Sequence, residues 1–437
     1  MSLSPLEEKV LAAVDAERSA HEEYLRGLIR IKSHTGMEGP GQRDILRKFQ
    51  EMGLAVEEFV PDLEALKDHP EFLPPTEDYG NYQDRPNVIG VLKGTGGGRS
   101  LLLFGHIDTV PEGPLEDWTH DPFGGEIEDG RMYGRGTQDM KSGLAAVILA
   151  VDTIRRLGVK LKGDVILMSN IEEEIGGSGG ILACIEKGIR ADGCIYPHPG
   201  WGKPGLVQVA SSGATAFRVR VRGRAVHGLM AHTGINAIEK AMRVIQHLRD
   251  LDDFRAIHVR DELTERSFEA SGLPQRATTL CISKIQGGDW IYQVPSECTI
   301  ECILTYPHTE DEASVRQAVT ETIEGAAQAD PHLREHPPEL EWLPLRFSPS
   351  TMALDEPFLA EVNSCMTEVL GTRPIIAANP VGSDTRVTVL YGNMPTVNIG
   401  PKGAGGHALN EWVDLESYHQ TIQMTAHIIL RWCGVAS

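Results

Sequence analysis

Histidines and carboxylates follow short apolar runs at several separate places along the 437-residue chain. The first run, residues 101–104, leads through a glycine to His106 and Asp108. An apolar run this short, without helical periodicity, predicts a buried strand. Because ligands in open α/β sheets bind just beyond the carboxyl ends of the strands, His106 and Asp108 occupy positions where a metal ligand and its partner are expected.

Four further segments carry similar side chains, either just after an apolar run or just before an apolar helix. They supply Asp139, Glu174, His198 and His407. The five segments therefore deliver three histidines and two carboxylates toward one edge of a sheet. Because imidazole and carboxylate are ligands that zinc accepts, this set predicts two zinc-like ions that share a carboxylate.

Each of these features is weak when it stands alone. A histidine such as His198 or His407 is most often a satisfied surface residue. Three glutamates in a row, as at 172–174, are often only favourable charges at a helix N-terminus. Their shared position after strand-like runs is what favours the metal-binding interpretation.

The neighbours of the candidate ligands suggest a division of roles. Asp108 can accept the second N–H of His106, which would fix the tautomer of a metal-bound imidazole. Gly176 and Gly177 predict a tight turn that holds the preceding glutamates. One of these glutamates could then be a ligand while its neighbour takes a proton from water. His227 lies in a different part of the chain, where we expect a donor across a cleft rather than a ligand.

The composition restricts the classes of function. There are 41 Lys and Arg against 62 Asp and Glu, and the net charge of −21 disfavours nucleic acid and anionic membranes as partners. No apolar run approaches the roughly 20 residues of a membrane span, and the N-terminus lacks the layout of a signal peptide. Seven cysteines without a CxxC pair indicate reduced thiols. We therefore expect a cytoplasmic enzyme.

The order of the predicted elements indicates two domains in an α/β chain. At 437 residues the chain exceeds the size of one hydrophobic core. Strands and helices alternate up to His198, which predicts a mixed, mostly parallel sheet flanked by helices. From residue 214 the predicted order is β-α-β-β-α-β, the ferredoxin-like α+β motif. We predict a catalytic domain from residues 1–213 and 347–437, with residues 214–346 as an inserted domain.

The sequence also predicts the structure of two loops. The glycine-rich run at 93–99 lacks the lysine and Ser/Thr ending of a phosphate loop, and it predicts a hairpin turn between two strands. The proline-rich segment 68–85 is predicted to be a surface loop or insertion without a chemical role.

The chain as a whole resembles the dinuclear zinc amidohydrolases and peptidases. These include acetylornithine deacetylase, succinyl-diaminopimelate desuccinylase, aminoacylase and the glutamate carboxypeptidases. The resemblance depends on His106-x-Asp108, Gly134-Arg135-Gly136 before Asp139-Met140-Lys141, Glu173-Glu174-x-Gly176, Val226-His227 with Gly234-x-Asn236-Ala237, and Gly400-Pro401 before His407-Ala408-x-x-Glu411. Together these motifs span nearly the whole chain.

The resemblance implies a metal-binding role for five residues. Asp139 would bridge two zinc ions, with cobalt or manganese as possible substitutes. Glu174 would join His106 on one ion, and His407 would join His198 on the other. Many relatives have a carboxylate at the position of His198, and either residue type binds zinc.

The resemblance also implies a mechanism. Glu173 would be the general base that takes a proton from a water between the two ions, and Asp108 would orient His106. The inserted domain would act as lid and dimer interface, so that His227 of one subunit would stabilise the oxyanion in the other's site. A cis peptide bond after Asp139 is expected as well.

The substrate is less well defined than the metal site. Many relatives hold a substrate carboxylate with an arginine at the position of Thr305, and the change to threonine removes that bidentate clamp. Arg386 is a candidate for this role, although it could equally form a structural ion pair with Asp384. Asn236 is a second candidate substrate contact.

We therefore predict a metal-dependent hydrolase that cleaves the acyl–amine bond of a small N-acylated amino acid or related amine, acting as a homodimer. A small-peptide carboxypeptidase or dipeptidase on the same site is the alternative. A two-metal phosphoesterase would need cationic groups around the metals, and the sequence places few there. A non-catalytic dimeric scaffold is disfavoured because every metal and base position is filled.

Overall fold

A computed structural model of the chain describes residues 3–75, 79–201 and 205–436. Its helices are α1 Pro5–Ala16, α2 Arg18–Arg30, α3 Gly39–Glu51, α4 Ser142–Arg156, α5 Ala183–Glu186, α6 Ala237–His258, α7 Glu262–Ser271, α8 Glu312–Ala329, α9 Pro331–Glu335, α10 Pro357–Leu370, α11 Thr385–Leu390 and α12 Leu415–Cys433. Shorter or irregular helical turns lie at Leu115–Asp117, Thr137–Lys141, Glu173–Ile175, Ser178–Leu182 and Gly228–Thr233.

The strands form three sheets. They are β1 Ala55–Phe59, β2 Asn87–Leu92, β3 Leu101–His106, β4 Glu126–Glu128, β5 Arg131–Tyr133, β6 Val165–Asn170, β7 Cys194–Tyr196, β8 Gly200–Trp201, β9 Leu206–Ser211, β10 Gly213–Arg222, β11 Thr279–Gly287, β12 Glu297–Tyr306, β13 Glu339–Phe347, β14 Ser350–Thr351, β15 Ile375–Asn379, β16 Thr396–Asn398, β17 Lys402–Ala404 and β18 Trp412–Asp414. Within the described ranges, no helix has both the length and the apolar character needed to span a bilayer.

Local sequence sets the start of the first helix as predicted. The backbone N–H of Glu7 donates to Ser4 Oγ at 3.3 Å, and the Ser4 N–H donates to the Glu7 carboxylate at 2.6 Å. This reciprocal pair is a capping box, and Pro5 occupies the first helical position where no N–H is needed.

The largest sheet has the order β1-β2-β6-β3-β7-β16-β9-β14, with β15 also paired to β9. Its middle strands β6, β3, β7 and β16 run parallel. Antiparallel pairs flank them, with β2 on β6 at one side and β16 on β9 at the other. The predicted mixed sheet is confirmed, and the ends of its parallel strands carry or lead to His106, Glu174 and His198.

Both faces of this sheet are buried, as the continuous apolar run of β3 requires. Leu101 and Leu103 belong to one core cluster, which they share with α1, α4, α10 and α12. Leu102 and Phe104 point the other way, into a second cluster with residues of α5 and α11. The strand end at His106 is therefore fixed from two sides.

A second sheet has the order β11-β12-β10-β13, and α6 and α8 cover one of its faces. The predicted β-α-β-β-α-β order is confirmed, with α7 and the short α9 as extra helices. Ala270 of α7 packs with Leu206 and Ala377, which belong to the first sheet. The division of the chain at residues 214 and 346 stays a prediction, because α7 connects the two sheets.

The predicted hairpin at 93–99 is wrong. Val165 of β6 pairs with Leu92 on one side and with Leu101 on the other, so β6 lies between β2 and β3. The loop crosses the chain that enters β6. A Cβ on Gly94 would lie 2.4 Å from the Lys162 carbonyl oxygen, so the glycine permits this close crossing.

The prediction that segment 68–85 is a surface loop is also wrong for part of its length. Glu71, Leu73, Tyr82 and Arg85 are buried, with exposed fractions between 2% and 7%. Residues 76–78 of the segment lie outside the described residues. The buried part packs behind the candidate metal ligands, so its residues can support the site.

A small third sheet, β4-β5-β18-β17-β8, was not predicted from the sequence. Its antiparallel pair β17 and β18 is joined by residues 405–411. The sheet therefore presents a loop that contains His407 and Glu411.

Replacing Gly143 with alanine should destabilise the fold and disturb the metal centre. Gly143 lies in the first turn of α4, and a Cβ there would lie 1.7 Å from the carbonyl oxygen of Pro197, next to His198. We expect a loss of about 1–3 kcal/mol in the free energy of unfolding. Urea unfolding measures this loss, and metal content measures the effect on the site.

Gly27→Ala is the matched control, because Gly27 lies in α2 with open space around its Cβ position. There the alanine should stabilise the helix by about 0.5–1 kcal/mol. Equal stability of the two variants would contradict the packing described for Gly143.

Candidate metal centre

The parallel strands bring the predicted ligands to one edge of the first sheet. His106 is the last residue of β3 and pairs with Asn170, the last residue of β6. Glu174 follows Asn170 by four residues, and His198 follows the end of the neighbouring strand β7 by two. The loop after β17 returns His407 to the same edge.

Asp139 lies at the centre of this group. Its Oδ1 is 3.1 Å from His106 Nε2 and 3.0 Å from His198 Nε2. Its Oδ2 is 3.4 Å from His407 Nε2, which is also 2.9 Å from Glu174 Oε2. All five predicted ligands are therefore brought together, and Asp139 is shared between two sets of three.

The pairing of ligands implied by the family resemblance is wrong in one respect. One set contains His106, Asp139 and His198, and the other contains Asp139, Glu174 and His407. Glu174 thus shares a set with His407 rather than with His106. The reason is the sheet order, since β3 and β7 are neighbours and place their two histidines side by side.

The donor atoms fit two divalent cations. His106 Nδ1 lies 3.0 Å from the carbonyl oxygen of Asp108, and His198 Nδ1 lies 3.0 Å from that of Pro199. A neutral imidazole that donates through Nδ1 has a lone pair on Nε2, and in both residues Nε2 is the atom that faces the Asp139 carboxylate, as a ligand to a cation would. Glu174 Oε1 is buried without a hydrogen-bond partner. Cations coordinated by imidazole and carboxylate would satisfy all these atoms.

The electrostatics of the cluster agree with this fit. Burial would raise the pKa of Asp139, but His198 and His106 hold it well below its usual value. Burial, together with the nearby negative charge of Asp139, raises the pKa of Glu174 to about 7. The pKa of Glu173 is raised well above its usual value, mainly by burial. Buried carboxyls this close together disfavour joint ionisation, and bound cations would remove that penalty.

Glu411 fixes the turn that carries Asp139. Its Oε1 accepts the backbone N–H groups of Gln138 at 2.7 Å and Asp139 at 2.9 Å. Its Oε2 accepts the N–H of Gly136 at 3.0 Å and Nη1 of Arg135 at 2.6 Å. The predicted cis peptide bond between Asp139 and Met140 is present. Glu411 was part of a sequence motif, but its contacts could not be assigned without the fold.

Asp108 contacts both His106 and the glutamate turn. Its Oδ1 is 3.4 Å from His106 Nδ1, which supports the predicted orienting role. Its two carboxylate oxygens also accept the backbone N–H groups of Glu173 and Glu174, each at 3.3 Å. Thr35 Oγ1 donates to the same carboxylate at 3.0 Å. One aspartate therefore sets the position of a ligand and of the candidate base together.

A buried charge network, which sequence reasoning missed, lies behind the glutamate turn. Arg85 donates through Nε and Nη2 to Glu38 at 2.6 and 2.8 Å, and its guanidinium lies 4.6 Å from the ring centroid of Tyr82. The Tyr82 hydroxyl donates to Glu172, which directly precedes Glu173. Only the pairing of β2 with β6 reveals this proximity, because it places the start of one strand beside the end of the other.

Arg386 is not placed where it could hold a substrate carboxylate. The side chain is 1% exposed, and its Nε donates to Glu71 at 2.9 Å. Its Nη1 and Nη2 donate to the carbonyl oxygens of Ser383 at 3.1 Å and Gly176 at 2.7 Å. All three nitrogens are therefore engaged. Arg386 therefore forms a structural ion pair, as the alternative prediction stated. Its main partner is Glu71, and Asp384 is a second, more distant partner at 3.6 Å.

His227 and Asn236 are not brought to the metal ligands within one chain. His227 is exposed on the inserted segment, and its Nδ1 accepts the N–H of Leu229 at 3.2 Å. Asn236 caps α6 by accepting the N–H of Ile238 at 3.0 Å. Neither lines the cleft at the metal ligands. Their predicted roles in catalysis and substrate binding remain predictions that require a second subunit.

A cleft of about 410 Å³ opens onto the metal ligands. Its opposite wall comes from the second sheet and includes Thr305 and Phe347. A loop that contains Val381 and Gly382 closes a third side. The cleft is therefore formed between the two sheets, with the ligand cluster as its floor.

The sequence matches the pattern of Peptidase family M20/M25/M40 over residues 102–431. A similar curated protein is N-formyl-4-amino-5-aminomethyl-2-methylpyrimidine deformylase of Halalkalibacterium halodurans. It is 30% identical over 369 residues, which is 80% of this chain and 84% of the relative.

Two solved structures share the fold across almost the whole chain. Human carnosine dipeptidase 1 has a TM-score of 0.74 at 17% identity and covers 98% of this chain and 99% of its own. A dinuclear metal-binding peptidase from Bacillus subtilis has a TM-score of 0.62 at 18% identity, with 96% and 99% covered. With two sets of candidate metal ligands at a shared aspartate, the chain belongs to Peptidase family M20/M25/M40 and is a hydrolase of that family.

Proposed function

We propose that the protein is a metal-dependent hydrolase that cleaves the amide bond of a small N-acylated amine, with two zinc ions, or cobalt or manganese, at the Asp139 cluster. The position of Glu173 is the main support. Its carboxylate lies 3.9 Å from His106 Nε2 and lines the cleft, yet it belongs to neither ligand set. A free carboxylate beside two metal sites is suited to act as a general base.

The deformylase relative supports an amide with a small acyl group, such as formyl. The alternative, a small-peptide carboxypeptidase or dipeptidase, has the fold of a dipeptidase in its favour. Such an enzyme needs a cationic group for a free carboxylate, and Arg386 is engaged by Glu71. A phosphoesterase would have the same need. A small N-acylated amine therefore fits the cleft better than either.

The residues of the chain have separate tasks in this reaction. When bound, the two cations act as Lewis acids toward the amide carbonyl and lower the pKa of a water. Glu173 takes a proton from the attacking water and passes it to the nitrogen as the C–N bond breaks, which yields a carboxylic acid and an amine. Asp108 holds both the Glu173 backbone and the His106 ring, so base and ligand keep a fixed relation.

A homodimer through the inserted domain belongs to the same proposal. Leu229, Trp290, Ile291 and Tyr292 expose between 59% and 87% of their surface beside His227, and we call them the lid patch. Exposed apolar patches of this kind favour protein contacts, and β11 is an edge strand open to pairing. In such a dimer His227 of one subunit would donate to the developing oxyanion in the other's cleft.

Metal removal should abolish hydrolysis of N-formyl and N-acetyl amines, and zinc should restore it. The assay compares these amides with N-succinyl amines, dipeptides and a phosphate ester, each with and without chelator. Chelator-sensitive release of the free amine is the expected result. Hydrolysis of the phosphate ester alone, or of dipeptides alone, would assign the protein to one of the other classes.

Glu173→Gln should lower kcat by about 1,000-fold while two metals per chain are retained, because the base is removed and no ligand is lost. Turnover and metal content are measured on the same preparation. Glu174→Gln is the matched control, since the neighbouring residue belongs to a ligand set and its substitution should release metal. Metal loss in the Glu173 variant instead would show that the two roles are exchanged.

Mixing His227→Ala and Glu173→Gln subunits should restore activity if His227 acts across the dimer. Each variant should be nearly inactive alone, whereas a heterodimer has one cleft with both groups intact. Equal mixing after subunit exchange should recover about a quarter of wild-type activity. If a sample shown to contain heterodimers recovers no activity, His227 does not act in the cleft of the partner subunit.

A further inference from the structure

The wall of the cleft opposite the metal ligands is set by strand register. Across β12, β10 and β13, Thr305 pairs with Ala214, and Ala214 pairs with Phe347. The three side chains therefore form a row across neighbouring strands. On β12 the even-numbered residues are buried under α6 and α8, so the odd-numbered face with Thr305 turns toward the metal ligands.

Phe347 is held in place on this wall. The guanidinium carbon of Arg386 lies 4.6 Å from its ring centroid, so a cation covers one face of the ring. The backbone of Gly382 packs against the ring closely, since a Cβ there would lie 2.7 Å from Phe347 Cγ. Ile303, Leu345 and Val381 line the cleft around it. The result is an apolar slot beside a fixed aromatic ring.

Among the described residues that line the slot there is no lysine or arginine, and its two histidines, His198 and His407, belong to the metal ligand sets. Arg386 is enclosed behind Phe347, with its nitrogens on Glu71 and two carbonyl oxygens. Arg346, the neighbour of Phe347, turns away and bonds the carbonyl oxygen of Pro70. On the side of the slot away from the metal ligands, a substrate carboxylate would thus meet Ile303, Leu345 and Phe347 with no lysine or arginine to pair with it.

We propose that this slot selects an uncharged, flat group on the amine half of the substrate and excludes a carboxylate there, with Thr305 and Phe347 as the specificity-determining residues. The inference rests on the proposed amide hydrolysis. Thr305 determines the charge, because it puts an uncharged side chain on this wall, and its hydroxyl accepts the backbone N–H of Thr279 at 3.1 Å. Phe347 determines the shape, because its aromatic ring lines the cleft and is held in place by Arg386 and Gly382.

Two amides that differ only in a carboxylate test the charge preference. These are N-formylbenzylamine and N-formylphenylglycine, in which the carbon that bears the nitrogen carries hydrogen or a carboxylate. We expect wild-type kcat/KM to favour the uncharged amide by about 100-fold, since the carboxylate would be buried unpaired. Thr305→Arg should raise kcat/KM for the charged amide at least about 10-fold and lower it for the uncharged one.

Thr299→Arg is the matched control for charge. Thr299 lies on the same strand and face, about 20 Å from Thr305. Its substitution by arginine should leave kcat/KM for both amides unchanged. Phe347→Leu tests shape. It should remove the preference for N-formylbenzylamine over N-formylbutylamine and leave exclusion of the carboxylate intact.

Binding to the metal-loaded Glu173→Gln protein, measured by calorimetry, gives a second readout that does not need turnover. Tighter binding of the uncharged amide supports the inference even if neither amide is hydrolysed, and in that case only the proposed amide hydrolysis fails. Equal or tighter binding and turnover of N-formylphenylglycine by the wild type would overturn the inference while leaving the hydrolysis intact.

Discussion

The convergence of three imidazoles on the Asp139 carboxylate is the constraint on which the rest of the site depends. His106 and His198 reach one oxygen and His407 the other, at 3.0–3.4 Å. Lone pairs and negative charge face each other in a buried place, and such an arrangement is stable only with cations or extra protons. The surrounding structure must therefore hold each group at a fixed distance, and it does so from several directions.

Many of these distances are fixed by hydrogen bonds from backbone N–H groups. Glu411 and Asp108 are buried carboxylates that accept backbone N–H groups from the turns that carry Asp139 and Glu173. Each one connects a loop to a distant part of the chain, so neither turn can move alone. Behind them, Arg85 neutralises Glu38 next to Glu172. The negative charge at the centre is thus surrounded by paired charges. Among the described carboxylates of this cluster, Glu173 is the one whose side chain has no hydrogen-bond donor closer than His106 Nε2 at 3.9 Å.

The second sheet contributes a different property, the chemical character of the cleft. Helices α6 and α8 cover one face of this sheet and form an apolar core with it. The other face is turned toward the metal ligands. Basic residues near the cleft are engaged elsewhere, as Arg386 is by Glu71. Three of the four lid-patch residues lie in the loop before β12, at the opposite end of that strand from Thr305. One small α+β unit therefore separates the surface that lines the cleft from the surface proposed to meet a second subunit.

Much of the metal centre was determined by the sequence alone. Apolar runs that end in His106 or lead to His198 predict strand ends, and the carboxyl ends of parallel strands meet at one edge of a sheet, so ligand types and their convergence follow from local patterns. The start of α1 follows in the same way, because the capping box lies within four residues.

Only the tertiary structure decided which groups are neighbours. The grouping of Glu174 with His407 depends on sheet order, and so does the position of β6 between β2 and β3. Arg386 meets Glu71 across 315 residues of sequence, and no local pattern distinguishes this buried pair from an arginine free to bind substrate. The physical reason is that residue type and periodicity act within a few turns or strands, whereas charge pairing and strand order are set by packing of the whole chain.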